Sequence, residues 1–195
     1  MPRIVVLVSG GGSNLQAILD ATHSGRLAAE VVAVFSNRRE AFGLERARRA
    51  GVAAEVVPIG PFRDRGREAY DADLAERVAA FRPDLVVCAG WMRVLTPVFL
   101  DRFPGRVINL HPALPGELPG VDAIRRAWEE GREGRRTRTG VMVHHVVPEV
   151  DAGPVIRVAE VPLVEGEPLE ALAERVHEVE HSLLVEAVAA CLEGA

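Results

Sequence analysis

Short runs rich in valine and isoleucine alternate with helical patterns along most of this chain, and this alternation constrains the fold more than any other feature. Such alternation is typical of βαβ units, which place their strands in a parallel sheet. The predicted strands lie near residues 3–8, 31–36, 54–57, 84–89 and 107–110, and the predicted helices at about 14–24, 41–50, 66–81 and 121–130. The sequence therefore predicts an α/β fold, a Rossmann-like and mostly parallel sheet with helices on both faces.

The same patterns indicate the centre of the sheet and the end of the chain. Residues 84–89, DLVVCA, are almost continuously apolar, as expected for a strand covered by helices on both faces, so this strand is predicted to be central. The stretches GVMVHHVV, residues 140–147, and GPVIRVAEV, residues 153–161, predict two more strands. A long helix is expected from about residue 168 to residue 193.

Length and composition limit the class of protein. A chain of 195 residues with 48% apolar content suits a single compact domain, which we predict over residues 1–195. Cys88 and Cys191 offer neither a metal-ligand spacing nor a disulfide framework, which fits a reducing, cytoplasmic location. The apolar run at the amino terminus is too short for a signal peptide or a membrane span, so we expect no membrane partner.

The charge balance argues against a general nucleic-acid binder, because the formal net charge is −5. All 23 basic residues are nevertheless arginine, the side chain best suited to phosphates and carboxylates. Four of them crowd into residues 131–140, at Arg132, Arg135, Arg136 and Arg138. This segment is either a local basic patch or a solvated loop.

The stretch VINLHPALPG, residues 107–116, runs a strand pattern into polar residues and a proline. Strand side chains alternate between faces, so Asn109 and His111 are predicted to share one face, about 6 to 7 Å apart. Pro112 has no amide hydrogen and cannot extend the ladder. Open α/β sheets bind ligands at the carboxyl ends of their strands, so this pair is either a site or a strand end that caps a neighbouring loop.

The stretch VVLVSGGGSNLQAIL passes from a strand through three glycines into a helix. Free amides at a helix N-terminus favour an anion, and Gly10, Gly11 and Gly12 would let phosphate oxygens approach the backbone. A P-loop would need a lysine, and the dinucleotide pattern would need glycine where Leu15 stands. We therefore favour a phosphate monoester, with the alternative that the glycines form a tight turn and Ser13 caps the helix.

Residues 177–181, HEVEH, match the zinc-protease pattern, with His177 and His181 as ligands and Glu178 as base. A metalloprotease is thus a second hypothesis. No histidine follows as third ligand, however, and the α/β context differs, so a coincidental match on an amphipathic helix is favoured. His144 and His145 are adjacent in a predicted strand and should face opposite ways, which prevents joint chelation.

Five stretches in order, SGGGSNLQAIL, GWMRVL, NLHP, GVMVHHV and VDAGPVI, give the chain a family resemblance along nearly its whole length. The chain resembles the phosphoribosylglycinamide formyltransferases, the folate-dependent formyl transfer enzymes of purine synthesis. Methionyl-tRNA formyltransferases share part of this signal but append a nucleic-acid-binding domain, for which we see no counterpart. They remain the nearest alternative, and a noncatalytic phosphosugar-binding module is a more distant one.

The resemblance implies a function and a set of site residues. It implies formyl transfer from the cosubstrate 10-formyltetrahydrofolate to the amine of 5′-phosphoribosylglycinamide, by direct attack through a tetrahedral intermediate. It implies small-molecule substrates, no metal, no nucleic acid, and a monomer or homodimer. The catalytic residues implied are Asn109, His111 and Asp151, with Asp151 favouring the charged imidazole and Asn109 stabilising the oxyanion. The implied phosphate and ribose residues are Gly12, Ser13, Asn14 and Glu180, and the implied folate residues are Arg67, Met92, Arg93, Val94, Leu95 and Asn109.

The chain departs from the family pattern at three places. After its HP the family usually has a serine and a pair of leucines, then an aromatic residue before the glycine, whereas the loop ALPGELPG carries Gly116 and Leu118 instead. Ile124 stands where the family often has histidine, so no role is carried over to that position. The arginine-rich segment at residues 131–140 is also several residues longer than in close relatives.

Overall fold

The computed structural model describes residues 1–193, and in that part of the chain seven strands form one sheet. The strands are β1 (Arg3–Val8), β2 (Glu30–Ser36), β3 (Ala53–Val56), β4 (Leu85–Cys88), β5 (Val107–His111), β6 (Arg138–His145) and β7 (Val155–Pro162). Their order across the sheet is β3-β2-β1-β4-β5-β6-β7. Strands β1 to β5 are parallel, whereas β6 and β7 are antiparallel to their neighbours. The predicted mostly parallel sheet is confirmed, and the strand at residues 84–89 is its central strand.

Six α-helices accompany the strands within the described residues. They are α1 (Ser13–His23), α2 (Phe42–Arg49), α3 (Gly66–Ala80), α4 (Pro97–Leu100), α5 (Ala123–Arg132) and α6 (Leu169–Glu193). Five of them were predicted from hydrophobic periodicity. Helix α4 was not, because a single turn is too short to show a period of 3.6 residues. No helix in the part of the chain described is long and apolar enough to span a membrane.

The central strands of the sheet are buried on both faces. Ile4, Val6 and Val8 of β1 pack with α1 and α6, while Val5 and Leu7 pack on the opposite face with α3 and α4. This alternation follows from the twofold period of a strand, and it explains why β1 and β4 are apolar at nearly every position. The apolar layers fix which strand ends lie next to one another.

The chain order reverses beside β1. After β1, the chain adds β2 and β3 on one side, and then returns to place β4 on the other side. Loops that leave the carboxyl ends of β1 and β4 therefore diverge to opposite sides of the sheet and leave a crevice, the usual ligand site of open α/β sheets.

Candidate active site

Strand β5 ends with two polar side chains on one face, as its sequence predicts. His111 is buried and Asn109 is partly buried. Because β6 runs antiparallel beside β5, its register places His144 opposite Asn109. The amide Nδ2 of Asn109 lies 3.2 Å from Nε2 of His144.

Asp151 joins these residues from the loop after β6. Its Oδ1 lies 3.4 Å from Asn109 Nδ2, and its Oδ2 lies 3.4 Å from His111 Nδ1. The amide of Gly120 donates to Oδ2 at 2.8 Å, which fixes the carboxylate. The structure thus brings together the three residues predicted to be catalytic, and with His144 they form what we call the polar cluster.

The loop that carries Asp151 depends on a close approach of two backbones. Asp151 has φ of 53°, a left-handed conformation that aspartate tolerates better than most residues. At Gly153, an added Cβ would lie 1.7 Å from the carbonyl oxygen of His145, so no side chain fits. The glycine in the stretch VDAGPVI therefore lets the Asp151 loop lie directly against β6.

The electrostatics of the cluster favour a neutral imidazole beside a carboxylate. Burial lowers the pKa of His111 below its ordinary value, although Asp151 and the Leu118 carbonyl act in the opposite direction. Burial raises the pKa of Asp151, but the His144 ring, the Gly120 amide and His111 together lower it below its ordinary range. The sequence argument anticipated the direction in which Asp151 acts on His111. It missed the opposing effect of burial, which a sequence does not reveal.

Both nitrogens of His111 face acceptors. Nε2 lies 3.0 Å from the carbonyl oxygen of Leu118 and therefore carries the hydrogen in the neutral ring. Nδ1 then presents its lone pair toward Asp151, at 3.4 Å. A proton arriving at His111 would be held on Nδ1 by the carboxylate, which makes Nδ1 the basic atom of the cluster.

His144 is a site residue that sequence reasoning missed. Its Nδ1 lies 2.9 Å from the carbonyl oxygen of His145, so Nδ1 carries the hydrogen, and Nε2 is left to accept from Asn109. This bond orients the Asn109 amide with its NH₂ group toward His144 and Asp151. That His144 and His145 face opposite ways stays a prediction. The signal in the sequence that could have identified His144 was the pairing of β6 with β5.

A cavity of about 410 Å³ opens beside the polar cluster. One side is lined by Met92, Arg93, Val94 and Leu95, four of the predicted folate residues, and we call residues 92–95 the apolar wall. Asn109, His111, His144 and Asp151 line the same cavity. Cys88 lies at its base, where burial raises the pKa of the thiol to about 12 and leaves it unreactive. A mostly apolar cleft with a few convergent polar groups is typical of a small-molecule site.

Arg67 contacts the apolar wall but does not itself line the cavity. Its Nη2 donates to the carbonyl oxygen of Val94 at 3.0 Å. The guanidinium of Arg93 stacks 5.3 Å from the centre of the Tyr70 ring. Burial raises the pKa of the Tyr70 hydroxyl, which donates to the Val57 carbonyl at 2.9 Å. Arginines and a buried tyrosine thus hold the wall in place.

The departures from the family pattern have local consequences. Leu118 adopts a left-handed φ of 45° and supplies the carbonyl that accepts from His111. The unusual loop thus contacts the site through its backbone, which tolerates a change of side chain. Ile124 packs against the apolar core and takes no part in the polar cluster.

The glycine turn, residues 10–14, lies at the end of β1. Gly10 and Gly11 are exposed, with no atom within 4 Å of the position a Cβ would take. Gly12 precedes α1 with a left-handed φ of 72°, and an added Cβ would lie 2.7 Å from the Cα of Gly43. No side chain caps α1, so the proposed capping by Ser13 is wrong and the first amides of the helix remain available to an anion.

Asn14 and Glu180 are paired beneath this turn. Both are buried, and Asn14 Nδ2 donates to Glu180 Oε2 at 2.9 Å. The same oxygen lies 3.0 Å from Nδ1 of His177, and this contact raises the pKa of His177. Glu180 thus holds Asn14 in place, and its contact with a ribose stays a prediction.

The HEVEH segment lies on α6, and its two histidines are in different surroundings. His177 is half exposed and paired with Glu180, whereas His181 has a buried Nε2 without a hydrogen-bond partner in the structure. Among residues 1–193, no group of three or more His, Cys, Asp or Glu side chains is arranged to hold a metal ion.

The arginines of residues 131–140 are paired with carboxylates or stacked on an aromatic ring. Arg135 pairs with Glu130 and Glu133, and Arg136 pairs with Glu117 and Glu130. Arg138 pairs with Glu160 across β6 and β7, and Arg132 stacks 4.8 Å from the Trp128 ring centre. The interpretation as a basic patch is therefore wrong, because each charge is matched or covered.

Comparisons with known proteins agree with this geometry. The family model described as formyl transferase matches residues 2–188. A phosphoribosylglycinamide formyltransferase from Schizosaccharomyces pombe is 48% identical, over 95% of this chain and 94% of that protein. One from Escherichia coli is 45% identical, over 93% of this chain and 82% of that protein. The crystal structure of glycinamide ribonucleotide transformylase 1 from Symbiobacterium toebii superposes with a TM-score of 0.94 at 45% identity, covering 100% of this chain and 89% of that chain.

Proposed function

We infer that this chain, which belongs to the formyl transferase family, is a phosphoribosylglycinamide formyltransferase of purine biosynthesis. The observation that carries this inference is the polar cluster, which stands at one end of a substrate-sized cavity. The two acceptors that face His111 suit a proton transfer, and the oriented amide of Asn109 suits a developing oxyanion.

We propose 10-formyltetrahydrofolate as the formyl donor. A cavity of about 410 Å³ with an apolar wall fits a flat heterocycle whose edge makes a few polar contacts. The wall and the polar cluster line the same cavity, so a donor against residues 92–95 would present its formyl group to Asn109 and His111. Arg67 and Arg93 would act by holding the wall.

The glycine turn is proposed to hold the phosphate of the second substrate. It lies two strands away from β5, because β4 separates β1 from β5, and this corresponds to roughly 10 Å at the usual strand spacing. A ribose and a glycinamide group can extend across this span from a bound phosphate. The substrate amine would then reach the cluster with its phosphate on the α1 amides.

In the proposed reaction the amine nitrogen forms a bond to the formyl carbon, and the formyl oxygen becomes an oxyanion. Asn109 would donate to this oxygen the hydrogen that now points to Asp151 at 3.4 Å, the longer of its two contacts. His111 Nδ1 would accept the amine proton, with Asp151 stabilising the imidazolium. As the carbon bond to N10 breaks, His111 would return the proton to that nitrogen.

A competition assay tests this proposal against the nearest alternative. Purified protein is given 10-formyltetrahydrofolate together with glycinamide ribonucleotide and initiator methionyl-tRNA, and the formylated products are separated. We expect formyl transfer to the ribonucleotide alone. Formylation of the tRNA would assign the chain to the other branch of the family, and no transfer to either acceptor would overturn the proposal.

A further inference from the structure

The residue that follows β1 places a buried hydroxyl between the glycine turn and the apolar wall. Ser9 is only 2% exposed. Its amide donates to the carbonyl oxygen of Gly90 at 3.0 Å. Its Oγ lies 2.9 Å from the amide of Met92 and 2.7 Å from Oδ1 of Asn37. One residue therefore bonds to the segments that follow β2 and β4.

The direction of these bonds follows from the chemistry of the partners. Asn37 Oδ1 is an acceptor, so the Ser9 hydroxyl donates to it. The hydroxyl oxygen in turn accepts from the Met92 amide. The result is a polarised chain from Met92 through Ser9 to Asn37, in which each bond strengthens the next. Because Ser9 and Asn37 are both buried, water cannot readily replace the bond between them.

The two ends of this arrangement belong to different subsites. Met92 is the first residue of the apolar wall. Ser9 directly precedes Gly10, whose carbonyl accepts from the Gly43 amide at 3.0 Å and so anchors the glycine turn to α2. The hydroxyl lies at the point between β1 and β4 where the strand order reverses. It is the side-chain link by which the wall is held to the base of the turn.

We propose that Ser9 is a positioning residue that sets the distance between the two substrates. This inference rests on the proposed function, in which the turn holds the phosphate and the wall holds the formyl donor. Without the hydroxyl, the Met92 amide loses its partner and the wall is free to shift against the turn. Each subsite would keep its own contacts, so the substrates would still bind, but the amine and the formyl carbon would meet less often in a reactive geometry.

The Ser9→Ala variant tests the proposal through a separation of kcat from KM. We expect kcat to fall by roughly 10- to 100-fold, because a misplacement of about 1 Å costs a transfer reaction on the order of 10²-fold. Both KM values should change little, and the melting temperature should fall by only a few degrees, because the buried Asn37 Oδ1 loses its partner. The matched control is Ser36→Ala. Ser36 is also buried, at the end of β2, and its Oγ accepts a hydrogen bond from the Arg38 amide at 3.1 Å, outside both subsites. That variant should retain the wild-type kcat.

The Asn37→Ala variant and the double variant, which combines Ser9→Ala with Asn37→Ala, test whether the two hydrogen bonds of the Ser9 hydroxyl act as one chain. We expect Asn37→Ala to lower kcat less than Ser9→Ala does, and the double variant to match Ser9→Ala, because both changes break one chain. Unchanged kcat in Ser9→Ala, equal losses in Ser36→Ala, or additive losses in the double variant would overturn the inference. A wild-type protein that does not formylate glycinamide ribonucleotide would instead overturn the proposed function, and with it this inference, before any variant is compared.

Discussion

The glycine turn and the polar cluster lie at the same edge of the sheet but are built in opposite ways. The turn offers backbone groups from one continuous segment, with no side chain above Gly10 or Gly11. The cluster uses side chains from three segments, and it holds Asp151 in a left-handed backbone conformation. The comparison teaches that a site made of backbone amides needs only a local sequence, whereas a site made of side chains needs the whole sheet.

Substitutions in the two regions should also affect different kinetic constants. Loss of a contact at the turn removes binding energy that is present before and during the reaction, so it should raise KM. Loss of a charge in the cluster removes an interaction that grows as protons move, so it should lower kcat. The following predictions use this difference, in order of decreasing effect.

Asp151→Asn should have the largest effect. The change keeps the size of the side chain but removes the charge that stabilises protonated His111, so kcat should fall by roughly 10²- to 10⁴-fold. Since loss of a neighbouring negative charge lowers the pKa of an imidazole further, the acidic limb of the kcat/KM profile should move to lower pH. The measurement is turnover across pH together with a melting curve.

The control for Asp151→Asn is Glu149→Gln, because Glu149 is an exposed carboxylate that lines the same cavity. It should leave kcat and the pH profile unchanged. An Asp151→Asn protein that melts early but turns over normally per folded molecule would remove the residue from the chemistry and leave it a purely structural role.

Removal of the phosphate from the substrate should sharpen the contrast between the glycine turn and the polar cluster. Glycinamide riboside should bind roughly 10²-fold more weakly than the ribonucleotide, since two charge-assisted hydrogen bonds at an exposed turn contribute about 1.5 kcal/mol each. Isothermal titration with both compounds measures this ratio. Equal affinities would place the phosphate away from the glycine turn.

His144→Asn and His144→Gln should differ from each other. Glutamine can place its amide oxygen near the position of Nε2 and still accept from Asn109, whereas asparagine can reach only the His145 carbonyl that Nδ1 now contacts. We expect kcat to fall about tenfold in the asparagine variant, as for one lost hydrogen bond of roughly 1–1.5 kcal/mol, and to recover in the glutamine variant. Equal rates in the two variants would show that His144 does not orient Asn109.

His177→Gln should have the smallest effect, and the informative measurement is the pH dependence of KM for the ribonucleotide. Contact with Glu180 raises the pKa of His177, so the pairing is complete below pH 6.5 and is lost as the pH rises through the higher folded-state pKa. In the wild type, KM for the ribonucleotide should rise over that interval by roughly two- to fivefold, as for a half-exposed ion pair of up to about 1 kcal/mol. The glutamine variant should show no such rise. A rise of the same size in both proteins would assign the titration to another group.

Hydrophobic periodicity and turn chemistry predicted most of the fold, because both are local properties of a chain. The alternation of apolar runs with helical patterns gave the parallel sheet, and the three glycines before Ser13 indicated the turn. The asparagine and histidine of β5 were placed on one face because strands alternate. The resemblance supplied Asp151, which no spacing rule connects to His111.

The tertiary structure decided the remaining features of the site. The antiparallel register of β6 on β5 places His144 against Asn109, and the close packing at Gly153 brings Asp151 between Asn109 and His111. Burial reverses the expected direction of the His111 pKa shift, since desolvation depends on atoms from every surrounding segment. The sequence alone thus determined the longer elements and the faces that they bury. Which side chains meet, and in which protonation state, depended on long-range packing that no short stretch of residues encodes.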